Sequence, residues 1–164
     1  MDFEAYVDEQ GPALFRLAYV LARDPHRAQD LTQTALAAAY SHWRKVTAAR
    51  DPNAYVRRML VNAHLNWHRR RSSSERPMDL GDYEPRPVQD FSEEVAARDQ
   101  LRKALATLAP RARTALVLKY YADLDDTAIA EAMDISPSTV RSTISRSLRA
   151  LRAGGVLDTQ EEKR

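Results

Sequence analysis

The chain has 164 residues, 44% of them hydrophobic, which is enough for one ordinary domain or two very small ones. Its formal net charge is +2 and it contains no cysteine, which excludes disulfides, thiolate metal sites and cysteine nucleophiles. The N-terminal segment MDFEAYVDEQ is acidic and lacks the basic start and apolar core of a signal peptide. No apolar run approaches the roughly 20 residues needed to cross a bilayer. These features predict a cytoplasmic protein without membrane insertion.

The small net charge averages over segments of opposite sign. Residues 57–71 contain five arginines and no acid, and residues 135–153 contain four arginines and no acid. Between them, residues 75–99 contain eight acids and three arginines. Two basic segments separated by an acidic one indicate two contacts with a polyanion, joined by a spacer.

Apolar residues recur at helical spacing along the first 71 residues, and no stretch shows convincing strand alternation. Asp24-Pro25 interrupts the first helical pattern, and Asp24 is a plausible cap for the next helix. Asp51-Pro52 begins a third, with Asp51 as N-cap and Pro52 in the first turn. The three predicted apolar faces comprise Leu14, Leu17, Ala18 and Leu21; Leu31, Ala35, Ala38 and Trp43; and Tyr55, Val56, Met59, Leu60, Ala63 and Trp67.

The composition changes at residues 72–90, which are rich in serine, proline and acid and have no periodicity. Such a segment buries too little surface to offset the entropy of ordering it, so residues 72–91 are predicted to be a flexible linker. Helix restarts after Ser92, and Pro110 separates two further helical patterns. Their predicted apolar faces comprise Val95, Leu101, Leu105 and Leu108, and then Leu116, Val117, Tyr120 and Tyr121. The sequence therefore predicts an all-α protein with two small helical domains.

Residues 127–152 have the pattern of a helix-turn-helix. Asp125 or Asp126 caps a short first helix, and Ser136 caps a second helix that has Pro137 in its first turn. The apolar residues of the two helices are Ile129, Ala130 and Met133 in the first, and Val140, Ile144, Leu148 and Leu151 in the second. The spacing of the second set predicts one buried stripe, which leaves the opposite side of that helix facing solvent or a ligand.

The opposite side suits the major groove of DNA. It carries Arg141, Ser142, Ser145, Arg146 and Arg149. Arginine forks match guanine edges and phosphates, and short serines allow the backbone to approach. The capped N-terminus, with Thr139 beside it, offers amide donors to a phosphate. The alternative is a solvated amphipathic helix with arginines placed for solubility, and the absence of acids from residues 135–153 argues against it.

The segment LAPRARTALVLKYYADLDDTAIAEAMDISPSTVRSTISRSLRALR closely resembles region 4 of bacterial extracytoplasmic-function (ECF) sigma factors of RNA polymerase. The segments LFRLAYVLARDPHRAQDLTQTALAAAYSHW and AYVRRMLVNAHLNWHRRR resemble region 2 of the same family. The resemblance implies region 2 at residues 1–71, the linker at 72–91, region 4 at 92–153 and a short tail at 154–164. It implies no catalysis and no cofactor, since the polymerase does the chemistry.

The resemblance also implies partners and site residues. The protein would bind core RNA polymerase at the β′ clamp and β flap, bind promoter DNA, and be held by an anti-sigma factor. The clamp contact would fall on Asp30, Leu31 and Gln33, although Thr34, Ala35 and Leu36 depart from the acid and aromatic that often follow. The −10 element would be contacted by Asn62, Asn66, Arg69 and Arg70. The −35 element would be contacted by Arg141, Ser142, Ser145, Arg146 and Arg149, with Arg113, Lys119 and Thr139 toward backbone phosphates.

Several residues have a second interpretation. His64 and His68 have a spacing that suits a metal, but with no third ligand evident a surface or DNA-backbone position is expected. Trp43 and Trp67 are expected in the core, with stacking on melted bases as the alternative. Tyr120 and Tyr121 are expected in the core of the C-terminal half, and residues 69–71 could be a solvated helix end.

Two other classes of function compete with a sigma factor. A transcription factor that dimerises on an operator would explain the helix-turn-helix, but it would leave the first 71 residues without a recognisable sensor site. An enzyme acting on nucleic acid would need paired carboxylates or a metal cluster, which the sequence does not offer in a consistent context.

Overall fold

The computed structural model describes residues 1–73 and 93–155, and every regular element within those ranges is helical. The first half contains α1 (Phe3–Ala22), α2 (Pro25–Ser41), α3 (Trp43–Ala48) and α4 (Pro52–Ser73). The second half contains α5 (Glu93–Ala106), α6 (Pro110–Leu116), a π-helical turn (Val117–Tyr121), α7 (Asp126–Met133) and α8 (Pro137–Ala153). The all-α prediction with two helical halves is confirmed.

The predicted linker and tail fall mostly outside the described residues. Ser72 and Ser73, the first two residues of the predicted linker, extend α4. The remainder of the predicted linker, residues 74–91, lies outside the described ranges, as do Ser92 and residues 156–164 of the tail. None of the helices in the described ranges is both long and apolar enough to cross a membrane.

Local capping signals fix where four of the described helices begin. The carboxylates of Asp24 and Asp51 each accept a hydrogen bond of 3.0 Å from a backbone N–H in the first turn of α2 and α4. Asp125, and not Asp126, caps α7 with a 2.8 Å bond, and the hydroxyl of Ser136 caps α8 with a 3.2 Å bond. Each bond satisfies an amide that has no partner within its own helix. The predicted caps are therefore confirmed.

The core of the first half lies between α1, α2 and α4. The predicted face of α1 is buried. On the predicted face of α4, Val56 and Leu60 have no exposed surface at all, whereas the other four residues are half-buried. The second helix ends sooner than the sequence pattern indicates, because the chain bends at His42 and α3 starts at Trp43. Trp43 still packs inward, with its ring edge-on to Phe3 and its centroid 5.2 Å from that ring.

The prediction that Tyr120 and Tyr121 belong to the core of the second half is wrong, since they are 63% and 50% exposed. A π-helical turn adds a residue to the hydrogen-bonded ring and shifts the side chains that follow around the helix axis. Val117 and Leu118 take the inward positions instead. Leu101, predicted on the buried face of α5, is 41% exposed because α5 packs only weakly on the other described helices.

The two halves pack against each other. Helix α4 of the first half contacts α7 and α6 of the second. At the rim, Arg58 Nη2 lies 3.6 Å from Asp134 Oδ1, and Arg23 Nη2 donates a 3.1 Å hydrogen bond to the carbonyl oxygen of Arg102. The cleft between the halves is lined by Ala54 and Arg58 of α4 and by Ala128, Glu131 and Ala132 of α7. The described chain therefore forms one body built from two helical units.

Candidate nucleic-acid and polymerase interface

The exposed side of α8 is the clearest candidate surface for DNA. Val140, Ile144 and Leu151 are buried and Leu148 is half-buried, as the periodicity predicts. The six residues predicted to contact DNA on and beside this helix are all exposed: Thr139, Arg141, Ser142, Ser145, Arg146 and Arg149. Because α8 contains no acid, this face presents only donors, hydroxyls and positive charge to a ligand.

Two of these side chains are held close to their own helix. The hydroxyl of Ser142 donates to the carbonyl oxygen of Thr139 at 3.1 Å, and Arg146 Nε donates to the carbonyl oxygen of Ser142 at 3.3 Å. At the start of the helix, the Ser136 hydroxyl lies 2.8 Å from that of Thr139. The N-terminus of α8 is therefore bordered by small hydroxyl groups that leave room for a backbone to approach.

An acid at the edge of this face was not anticipated as part of the site. Asp126, at the first position of α7, accepts a 3.1 Å hydrogen bond from Lys119 Nζ and lies 4.0 Å from Arg141 Nη1. From the sequence, Asp126 is predicted only as a possible helix cap. No sequence signal connects Lys119, Asp126 and Arg141, because they lie on the π-helical turn, α7 and α8. They come together only where these three elements pack against one another.

A second basic surface lies on α4. Asn66, Arg69 and Arg70 are exposed and Asn62 is half-buried. These positions are three and four residues apart, so their side chains lie together along one side of the helix. The interpretation of residues 69–71 as a simple solvated end fits only in part, because the guanidinium of Arg71 lies 4.6 Å from the centre of the Trp67 ring.

Trp67 lies beneath two guanidinium groups. Arg27 of α2 lies 3.4 Å from the centre of its ring, and Arg71 lies over the same ring system. The Arg27 pKa falls to about 10, chiefly through burial and then through the nearby Arg71. A ring engaged by cations in this way is a packing residue in this arrangement of the chain, which favours the core interpretation over stacking on bases.

The prediction of a surface position for His64 is wrong, since its side chain is only 3% exposed. His64 lies on α4, and this helix is covered by α1 and α2 of the first half and by α6 and α7 of the second. Burial lowers the His64 pKa to about 3, with further lowering by the positive charges of His68, Arg27 and Arg113. Burial also lowers the His68 pKa to about 4.

Metal binding by this pair has little physical support. The two imidazoles pack edge to face with centroids 4.6 Å apart, and arginines surround them. Positive neighbours oppose the binding of a further cation. Within the described ranges, no group of three or more histidine, aspartate or glutamate side chains is placed to hold a metal.

Arg113 is placed apart from the other residues predicted for the −35 element. Its side chain is half-buried, burial lowers its pKa, and its charge bears on His64 and His68 of the first half. Lys119, by contrast, lies beside α8 through its bond to Asp126. The structure therefore brings Lys119, but not Arg113, to the exposed face of the helix-turn-helix.

The residues predicted to contact the polymerase divide into two sets. Asp30 and Gln33 are exposed near the middle of α2. Leu31, between them, is 9% exposed and belongs to the hydrophobic core. Asp30 and Gln33 thus remain candidates for a contact surface, whereas Leu31 supports that surface from beneath.

Comparisons with known proteins identify both halves. The family model described as Sigma-70 region 2 matches residues 6–74, and the model described as Sigma-70, region 4 matches residues 98–151. The RNA polymerase sigma-E factor of Streptomyces coelicolor is 38% identical over 152 residues, covering 93% of this chain and 85% of that protein. The ECF RNA polymerase sigma factor SigL of Mycobacterium tuberculosis is 30% identical over 152 residues, covering 90% of this chain and 85% of that protein. The chain belongs to the extracytoplasmic-function family of sigma factors.

Solved structures share the fold of this sigma factor. The sigma factor RpoE of Bartonella quintana, in a co-crystal with the anti-sigma factor NepR, has a TM-score of 0.68 at 22% identity and covers 98% of this chain and 99% of its own. A PhyRSL–NepR complex from Sphingomonas sp. Fr1 has a TM-score of 0.64 at 17% identity, covering 93% of this chain and 88% of its own. As a sigma factor, the chain is a transcription initiation factor that binds core RNA polymerase and directs it to promoter DNA.

Proposed function

We propose that the exposed face of α8 reads the −35 element as duplex DNA. The observation that carries the proposal is that α8 itself contains no acid and that its Arg141, Ser142, Ser145 and Arg146 are all exposed. Arginine can bond two atoms of a guanine edge, while Thr139, Lys119 and Arg149 are suited to the flanking phosphates. Arg113 would join them only if the second half moves away from α4.

The second DNA contact in this proposal is the basic side of α4. Asn62, Asn66, Arg69 and Arg70 offer amide groups for base edges and positive charge for the strand that carries them. Unpaired bases of a −10 element would need small polar pockets and a basic channel more than a groove-filling helix. Asp30 and Gln33 on α2 would contact the polymerase clamp, and the polymerase would do all of the chemistry.

The packed arrangement of the halves cannot span a promoter. The −10 and −35 elements lie about 25 base pairs apart, or about 85 Å at roughly 3.4 Å per base pair. A compact body of the size of the described ranges, residues 1–73 and 93–155, has a radius of gyration of about 14 Å and is therefore about 40 Å across. Simultaneous contact with both elements thus requires α7 to leave α4, and the packed form is the state of the chain away from the promoter.

An anti-sigma factor is the partner that would favour the packed form. Both solved neighbours are complexes that contain NepR, described as an anti-sigma factor in the Bartonella complex. Their high coverage of this chain includes both of its halves, which supports a comparable packed state here. A protein that binds both halves at once would oppose their separation by mass action. The proposal places the protein in the cytoplasm, where its polymerase operates.

Run-off transcription tests the proposal. Adding the full chain to core polymerase should produce start sites on promoters of its own genome that core polymerase alone does not produce. Arg141→Ala and Arg146→Ala should each lose about 1–3 kcal/mol of discrimination in the −35 element. Arg98→Ala, which removes an exposed arginine of α5, is the matched control. Absence of any start site with saturating chain would overturn the proposal, and a uniform loss across sequences would reassign that arginine to phosphate.

A further inference from the structure

Asp126 is the acid that lies among the basic residues of the proposed −35 surface. Its Oδ1 atom accepts the 3.1 Å hydrogen bond from Lys119, and its Oδ2 atom lies 4.0 Å from Arg141 Nη1. The carboxylate is not needed to cap α7, because Asp125 performs that function through its 2.8 Å bond to Ala128 N. Asp126 thus joins three elements: the π-helical turn, α7 and α8.

The exposed fractions of the three side chains show which of them can still contact DNA. Asp126 is 28% exposed and Lys119 35%, whereas Arg141 is 62% exposed. The carboxylate therefore lies at the base of the cluster and the guanidinium extends outward from it. A guanidinium has five N–H donors arranged in a planar fork, so one edge can face a carboxylate while another remains free for a second acceptor.

The negative charge of Asp126 has two opposite effects on DNA binding. It repels the phosphates of any DNA that approaches α8, which lowers affinity for every sequence alike. It also restricts a long side chain that would otherwise sample many rotamers, so less entropy is lost when Arg141 meets a base. The first effect is independent of sequence, whereas the second acts only through a contact that Arg141 makes.

We infer that Asp126 is a positioning residue that orients the guanidinium of Arg141, holds the ammonium of Lys119 beside it, and thereby raises base selectivity in the −35 element at the expense of affinity. The inference rests on the proposed function of α8. It assigns Asp126 no contact with DNA of its own. Its effect on selectivity is transmitted through Arg141.

The test compares binding of the full chain with core polymerase to promoter fragments that carry every base substitution across the −35 element. Asp126→Asn preserves the shape of the side chain and removes its charge. Asp123→Asn is the matched control, because Asp123 is exposed, lies three residues away, and has a positive φ that asparagine tolerates well. Thermal melting of each variant verifies that the fold is retained.

Asp126→Asn should reduce discrimination by about three- to tenfold at the base pair that Arg141→Ala identifies, with affinity for unrelated DNA unchanged or raised. Asp123→Asn should leave the discrimination profile unchanged. In the Arg141→Ala background, Asp126→Asn should have no further effect on base preference, which a merely structural role would not predict.

Three outcomes would overturn the inference. A profile unaltered by Asp126→Asn, while Arg141→Ala alters it, would reject the role of Asp126 and leave the proposed function intact. A change in preference that persists in the Arg141→Ala background would mean that the carboxylate contacts a base directly. A profile unaltered by Arg141→Ala itself would reject both the inference and the assignment of Arg141 to base recognition.

Discussion

Acidification should destabilise this protein through His64. The side chain is 3% exposed, and its pKa in the folded state is about 3, against about 6.5 for an exposed histidine. Burial is the main cause, and His68, Arg27 and Arg113 add to it from α4, α2 and α6. Because the folded pKa is depressed, the unfolded chain binds the proton first as pH falls. Stability is therefore full above pH 6.5 and decreases toward pH 3.

The expected size follows from this difference in pKa. Between pH 6.5 and pH 3 the free energy of unfolding should fall by about 1.4 kcal/mol per pH unit on account of His64 alone. At pH 5.0 the part of the loss that His64 causes, relative to pH 7.5, is therefore about 2 kcal/mol. His68, whose pKa is also lowered, to about 4, adds a loss of the same sign. Urea denaturation at the two pH values, monitored by circular dichroism, measures the total.

A matched pair of variants isolates this contribution. His64→Gln removes the titrating group, so its loss of stability between pH 7.5 and 5.0 should be about 2 kcal/mol smaller than that of the wild type. His26→Gln, which removes an exposed histidine at the start of α2, should follow the wild-type profile. Equal losses in His64→Gln and the wild type would refute the reasoning, since they would mean that His64 is protonated or solvated in the folded protein at pH 5.

Three further predictions concern folding and partner binding. Ser136→Ala removes the cap of α8 and should lower the free energy of unfolding by about 1 kcal/mol, measured by thermal melting, and an unchanged melting temperature would contradict the capping role. Leu60→Ala opens a cavity in the first-half core and should cost about 2–5 kcal/mol in urea denaturation, so a loss below about 1 kcal/mol would mean that the site collapses or is solvated. Asp30→Lys should weaken binding to core polymerase in a pull-down titration while leaving the melting temperature within about 2 °C of wild type, because the side chain is exposed. Undiminished polymerase binding would remove Asp30 from the proposed contact.

The features that the sequence predicted well are those governed by neighbouring residues. Asp24, Asp51 and Ser136 cap helices because a short polar side chain stands directly before a proline and an apolar period. The buried stripe of α8 follows from the helical spacing of its apolar residues, and the same spacing places its arginines on the exposed side. These interactions span no more than one or two helical turns, so the sequence of a single helix and its flanking residues is enough to predict them.

The features that the sequence did not predict depend on contacts between distant segments. The burial of His64 requires the second half to pack against α4, and no local pattern encodes that contact. The outward turn of Tyr120 and Tyr121 depends on a π-helical turn, which resembles an α-helix in sequence. The placement of Asp126 between Lys119 and Arg141 arises only where three elements cross.

The contact between α4 and α7 joins two halves of the same chain, and this connection lowers the interface energy needed to keep them together. Both halves belong to one chain with roughly 20 residues between Ser73 and Glu93, and linkers of that length in general give an effective concentration in the millimolar range. An interface too weak to join two separate proteins can therefore keep these halves together. Under the proposed function, polymerase and promoter would then need to supply only a few kcal/mol to part such an interface.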